Sequence, residues 1–210
     1  MKTSTRNIAL AASTLLACIS FNHAAPAKGP AGTVYVLTDL GRGSAIKASN
    51  PDSSGAFFIV GSDRGANGFS EARVWEVTTA GAILAVTDLG TLPGQSSSFA
   101  ADVNDSGIVV GSCTDGNGSQ IGFVDVPGVG MLELPSLGGA ESIPVAVNNS
   151  GVIVGSARDA QNVDWGVMWH VDHAGTITGP VSLGLFFPAD INDSGEIVGL
   201  VDRPGGPSPQ

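Results

Sequence analysis

Ala101-Asp102-Val103-Asn104-Asp105-Ser106-Gly107-Ile108-Val109-Val110-Gly111-Ser112 decides the fold, because the chain repeats it. It returns as Val145-Ala146-Val147-Asn148-Asn149-Ser150-Gly151-Val152-Ile153-Val154-Gly155-Ser156, and again as Ala189-Asp190-Ile191-Asn192-Asp193-Ser194-Gly195-Glu196-Ile197-Val198-Gly199. Asn104, Asn148 and Asn192 stand 44 residues apart in both steps. A fixed period of this length is the mark of a repeat architecture. A looser first copy runs from Ala48-Ser49-Asn50-Pro51-Asp52-Ser53-Ser54-Gly55 into Phe57-Phe58-Ile59-Val60-Gly61-Ser62.

Working outward, a second element recurs in phase. It reads Glu71-Ala72-Arg73-Val74-Trp75, then Ile121-Gly122-Phe123-Val124-Asp125, then Trp165-Gly166-Val167-Met168-Trp169. A third reads Val86-Thr87-Asp88-Leu89-Gly90-Thr91-Leu92-Pro93-Gly94 and Met131-Leu132-Glu133-Leu134-Pro135-Ser136-Leu137-Gly138-Gly139. Val181-Ser182-Leu183-Gly184 shortens it, and Val36-Leu37-Thr38-Asp39-Leu40-Gly41 precedes the first copy.

Each unit reads as four short strands, in the second unit at residues 99–103, 108–112, 121–126 and 131–134. The tetrads join the first two as tight hairpins. Asn104, Asn148 and Asn192 hydrogen-bond the local backbone, and Gly107, Gly151 and Gly195 supply φ > 0. Segments such as Asp115-Gly116-Asn117-Gly118 and Pro127-Gly128 make the other turns. Ile/Val strand cores suit strands covered on both faces. The expected fold is all-β, a β-propeller of about four 44-residue, four-stranded repeats; a β-solenoid or an open repeat array is the alternative. The repeats fall at about 42–89, 90–134, 135–183 and 184–202, within one domain over 28–202. The last copy stops early, so the strand expected at 33–41 is placed in the final blade, where it removes an exposed edge. Residues 203–210 read as a flexible tail.

The front of the chain reads as a signal peptide over 1–27. Lys2 and Arg6 precede an uncharged apolar run at 8–21, and Ala25-Pro26-Ala27 offers a cleavage site. Leu15-Leu16-Ala17-Cys18 gives the alternative, a lipoprotein anchored through Cys18. The expected location is therefore secreted, periplasmic or at the cell envelope. Later in the sequence no apolar run is long enough for a spanning helix. Cleavage after Ala27 removes two basic residues and no acid, taking the formal charge from −10 to −12. Such a surface argues against nucleic acid as a partner. It also leaves Cys113 alone, which excludes a disulfide scaffold and marks Cys113 as a small packing residue in the place of Ala157.

The run Leu-Gly-x-Leu-x-Gly, then Ala-x-x-Asn-x-x-Gly-x-x-Val-Gly, then a segment ending in Trp, resembles the HAF-type extracellular repeat proteins of bacteria. The resemblance covers residues 34–201. It departs at the His-Ala-Phe triplet that names the family, here Glu71-Ala72-Arg73, Ile121-Gly122-Phe123 and Trp165-Gly166-Val167, and at Asp125, which replaces Trp. The resemblance implies export and a repeat-built β architecture. It implies no established activity and offers no catalytic residue.

For chemistry, Asp102, Asn104, Asp105, Asp190, Asn192 and Asp193 present alternating oxygens before a glycine, as calcium loops do. Ala146 and Asn149 break that pattern in the third copy, and no downstream Glu follows, so turn formation is the favoured reading and no cofactor is expected. His170 and Asp172 share a strand face while His173 faces away. No nucleophile elbow or dinucleotide fingerprint is present. Trp75 and Trp169 occupy equivalent positions and read as packing residues between blades. The sequence points to a non-catalytic exported scaffold that binds a cell-surface, glycan or protein partner through loops 63–70, 114–120 and 158–164, which change while the strands repeat. The alternative is a polysaccharide-active enzyme on a propeller, whose distant paired carboxylates a sequence does not reveal.

Overall fold

The computed structural model describes residues 38–41, 43–65 and 68–201. The expected signal peptide with Cys18, residues 33–37 of the expected N-terminal strand, and the 203–210 tail lie outside them. Residues 38–41 form no strand.

The described chain is all-β, with four antiparallel sheets and no helix. The first sheet holds β1 (Ser44–Ala48), β2 (Ala56–Arg64), β3 (Ser70–Thr78) and β4 (Ile83–Gly90). The second holds β5 (Ser97–Val103), β6 (Val109–Thr114), β7 (Gln120–Val126) and β8 (Gly130–Glu133). The third holds β9 (Gly138–Val147), β10 (Val152–Asp159), β11 (Asp164–Val171) and β12 (Ile177–Gly184), and the fourth only β13 (Phe186–Ile191) and β14 (Ile197–Val201). Strand order follows the chain in every sheet, so each is a meander of hairpins.

The first hairpin of each sheet shows why the tetrads recur. Asn104, Asn148 and Asn192 each accept at their backbone carbonyl from the glycine three residues on. Asp52 does the same toward Gly55, so Asp52-Ser53-Ser54-Gly55 is the first sheet's tetrad. The four glycines hold φ between 77° and 82°, a region costly for any residue with a Cβ.

Just before each of these turns the first strand carries a β-bulge. Pairing shifts between Ala45 and Lys47, between Ala100 and Asp102, between Pro144 and Ala146, and between Pro188 and Asp190. Opposite the bulge stands the glycine of each Val-Gly pair: Gly61, Gly111, Gly155 and Gly199. A Cβ there would lie 1.7 to 2.2 Å from a carbonyl oxygen of the bulged strand, far inside van der Waals contact. The repeated Val-Gly is thus dictated by close approach, and the bulge re-aims the residue that follows it.

The core lies between sheets. Val110, Val124 and Leu134 of the second sheet's unit pack with Ile153, Val167 and Trp169 of the third. Val60 and Ala72 pack with Val103, Val109 and Phe123, joining first and second sheets, and Ile191 joins the third and fourth through Ala146 and Val154. Two buried serines stitch these layers. Ser98 Oγ accepts from Ala72 N–H at 2.7 Å and donates to the Gly90 carbonyl. Ser142 Oγ, 44 positions on, accepts from Gly122 N–H at 2.9 Å and donates to the Leu134 carbonyl at 2.8 Å.

Candidate functional site

The tetrads gather at one end of the sheets, and they are joined sheet to sheet. The Asn104 side-chain amide donates to the Asn148 carbonyl at 3.0 Å, and the Asn148 amide donates to the Asn192 carbonyl at 3.1 Å. The residue after each tetrad asparagine forms a second line of contacts, met from the first sheet by Asn50, two positions before its tetrad. Asn50 N–H donates to Asp105 Oδ1 at 2.7 Å, Asp105 N–H to Asn149 Oδ1 at 2.8 Å, and Asn149 N–H to Asp193 Oδ1 at 2.9 Å. The Asn149 amide nitrogen then bridges Asp105 Oδ2 at 2.8 Å and Asp193 Oδ2 at 2.9 Å. An amide between two carboxylates satisfies both and removes the repulsion a third Asp would bring, which explains Asn at this turn.

Of the six oxygen-bearing residues considered for calcium, Asp105 and Asp193 are brought together, on Asn149. Asn104 and Asn192 are not. Each closes its own turn through Oδ1, which accepts from Ser106 and Ile108 N–H in one case and from Glu196 N–H in the other. Among the described residues no group of three or more His, Cys, Asp or Glu side chains is disposed to hold a metal ion.

Asp102 follows the bulge of β5 and is buried, with Oδ2 accepting from Val147 N–H at 3.0 Å. The equivalent residues after the other bulges are Lys47, Ala146 and Asp190. Burial pushes the Asp102 carboxyl up, against the pull of the Val147 N–H and the Lys47 charge, and the Asp190 charge adds to the rise. The folded protein therefore loses stability as pH climbs from the unfolded carboxyl value, near 3.9, through the raised folded one. Asp102→Asn keeps an acceptor for Val147 and carries no charge. It is expected to be more stable than the parent at pH 7, with the gap closing below about pH 4, as read by urea denaturation at both pH values.

The same local device recurs at other turns, with Asp in place of Asn. Asp115, Asp159 and Asp172 each accept through Oδ1 from the N–H groups two and four residues on. These backbone donors hold all three carboxyls below the usual range, with the Trp165 indole N–H adding its pull at Asp159. Asp172 is thereby committed to its turn, and exposed His170 and His173 flank it without joining a cluster. Cys113 is buried among Leu92, Val109 and Phe123, and burial pushes its thiol up.

Because the sheets are meanders, the second hairpins lie at the end opposite the tetrads. There Arg73 pairs with both Asp63 and Asp88 and lies 5.9 Å from the Trp75 ring centroid. Arg158 pairs with Glu141 and Asp164, each at 3.0 Å. Phe69 and Val163 are exposed on these loops. Comparison with family models and with curated proteins finds no match to this chain.

Sequence reasoning missed Asn50 and Asn149 as the partners of Asp105 and Asp193. The 44-residue period held the signal, since it sets residues 105, 149 and 193 in line. Trp75 and Trp169 are both buried, and the Trp169 indole N–H donates to the Pro135 carbonyl at 2.8 Å.

Proposed function

We propose that the chain is an exported, non-catalytic binding scaffold whose four sheets are the blades of a β-propeller. The reading rests chiefly on one contrast. The polar residues that repeat are consumed by turns and by joints between turns, whereas the residues that vary lie at the second hairpins, among the described residues at 68–69, 115–119 and 160–163. The propeller reading is supported by the in-phase meanders, whose sheets pack in chain order through shared apolar clusters. Leu40 adds support, packing on Ile59, Trp75 and Val77 as Leu134 packs on the third sheet. The resemblance to HAF-type repeat proteins and the cleavable N-terminal segment support export.

The ligand class is a glycan or protein at the cell surface. A glycan array run beside polysaccharide turnover assays tests this. Binding without turnover is expected, and replacing Phe69 and Val163 by serine is expected to weaken it about tenfold or more. Turnover of any polysaccharide overturns the reading in favour of an enzyme.

A further inference from the structure

The hairpin turn at 115–118, between β6 and β7, closes on the longest bonds of its kind among the described turns. Gly118 N–H reaches the Asp115 carbonyl at 3.3 Å, and Asp115 N–H reaches the Ser119 carbonyl at 3.4 Å. In the tetrad turns, and in those at Asp159 and Asp172, the same two bonds measure 2.7 to 3.2 Å. Asn117 is exposed on this turn, its side-chain amide donating to Asp115 Oδ2 at 3.3 Å. Gly118 follows it with φ at +88°, and no atom lies within 4 Å of the place a Cβ would take.

An asparagine side chain is labile where the next backbone nitrogen can attack its carbonyl carbon. Attack needs a loosely held N–H and little bulk on the following residue, and a glycine in an open turn gives both. The other described asparagines lack one or the other. Asn50 precedes Pro51, which has no N–H. After Asn104 and Asn148 the next N–H is held, that of Asp105 by Asn149 Oδ1 at 2.8 Å and that of Asn149 by Asp193 Oδ1 at 2.9 Å. The Ser150 N–H that follows Asn149 is bound to Asn148 Oδ1 at 3.1 Å. Asn162 precedes β-branched Val163, whose N–H donates to Asp159, and the Asn192 side chain is tied to Glu196 through both its polar atoms.

We propose that Asn117 is a modification site at which the protein deamidates without an enzyme. The Gly118 nitrogen loses its proton to hydroxide and bonds to Asn117 Cγ. The Cγ–Nδ2 bond breaks, and the amide nitrogen leaves as ammonia with a proton from water. The five-membered imide then takes up one water. Opening at Cγ gives aspartate, and opening at the backbone carbonyl gives isoaspartate, in which the chain runs through the former side chain. Either product sets a new carboxylate beside Asp115, whose Oδ1 already accepts from the N–H groups of residues 117 and 119. An attractive amide–carboxylate contact becomes a repulsion, so the turn with the longest bonds loosens further. The inference goes beyond the scaffold reading and stands whether or not that reading holds. Asn67-Gly68 repeats the pair in sequence, and Asn67 lies outside the described residues.

The test incubates the whole folded protein at mildly alkaline pH and follows each asparagine separately by peptide mass spectrometry. An isoaspartate-specific methylation assay runs beside it. Asn117 is expected to convert at least about tenfold faster than Asn50, Asn104, Asn148, Asn149, Asn162 or Asn192. Its rate should climb with pH, isoaspartate should be among the products, and amide exchange at 115–119 should quicken in the aged protein. Asn117→Gln, which would need a six-membered ring, is expected to stay unconverted over the same time and to melt as the parent does, since residue 117 is exposed. The inference is overturned if Asn117 persists, or if one of those six asparagines converts before it. A rate indifferent to pH, or aspartate formed with no isoaspartate, overturns it equally.

Discussion

Replacing Gly155 by alanine is expected to destabilise the protein by more than about 4 kcal/mol, and to abolish soluble expression if the native margin is ordinary. The new methyl carbon would lie 2.1 Å from the Ile143 carbonyl oxygen and 2.7 Å from the Pro144 Cα. Both are backbone atoms, in a strand already bulged at that point, so no side-chain rotation relieves the clash. Only a shift of β9 does, and that strand supplies the Ser142 stitch and the Val147 N–H held by Asp102. Gly116→Ala is the control. Nothing lies within 4 Å of its added carbon, and the change should stay within about 0.5 kcal/mol. Urea midpoints for the two variants decide the matter; equal midpoints would sink the close-approach account of the Val-Gly repeat.

The second large effect is expected at Trp169. Its indole is buried against Ile153, Val167 and Val171, and its N–H reaches across to the loop that enters the third sheet. Trp169→Ala removes the largest side chain of that cluster and leaves the Pro135 carbonyl without its donor. A loss of about 3–5 kcal/mol is expected. Trp169→Phe fills most of the space and isolates the hydrogen bond, at about 1 kcal/mol. Trp165 offers the comparison within one strand. It is half-buried and donates to Asp159 at the end of β10, so its alanine variant should lose less than half as much. Urea titrations followed by circular dichroism measure all three, and a Trp165 variant as damaged as Trp169→Ala would refute the assignment.

Much of this architecture was legible in residues alone. The four strands expected in the second unit are found, with β5 beginning at Ser97, two positions early, and β6 reaching Thr114, two positions late. Local chemistry explains that success. Alternating apolar residues and an Asn-x-Ser-Gly turn act within a few positions, and nothing distant has to be known. What escaped the sequence lies between units. Gly155 reads only as a repeated residue inside a strand until the Ile143 carbonyl is placed over it, and that needs the bulge. Asp102 reads as one of the alternating oxygens before the turn, since only packing of the third sheet brings the Val147 N–H to it. The calcium-like spacing has a local explanation of a related kind. Alternating oxygens before a glycine describe a turn that binds its own backbone equally well, and Asn104 Oδ1 is taken by two N–H groups. The candidate site was less legible than the fold, because the loops that vary carry no pattern by which to name what they touch.

The joints between tetrads have a direction: the second and third units each donate an amide to the carbonyl of the one after, 44 positions along. Donor and acceptor thus recur at the same offset in both joints. A stretch of that length cut out or duplicated in phase restores the joint on either side of the splice, with no compensating substitution. The number of units is then free to change by whole steps, and lineages bearing this sequence pattern should differ in length by multiples of one unit rather than by loop insertions at the tetrads.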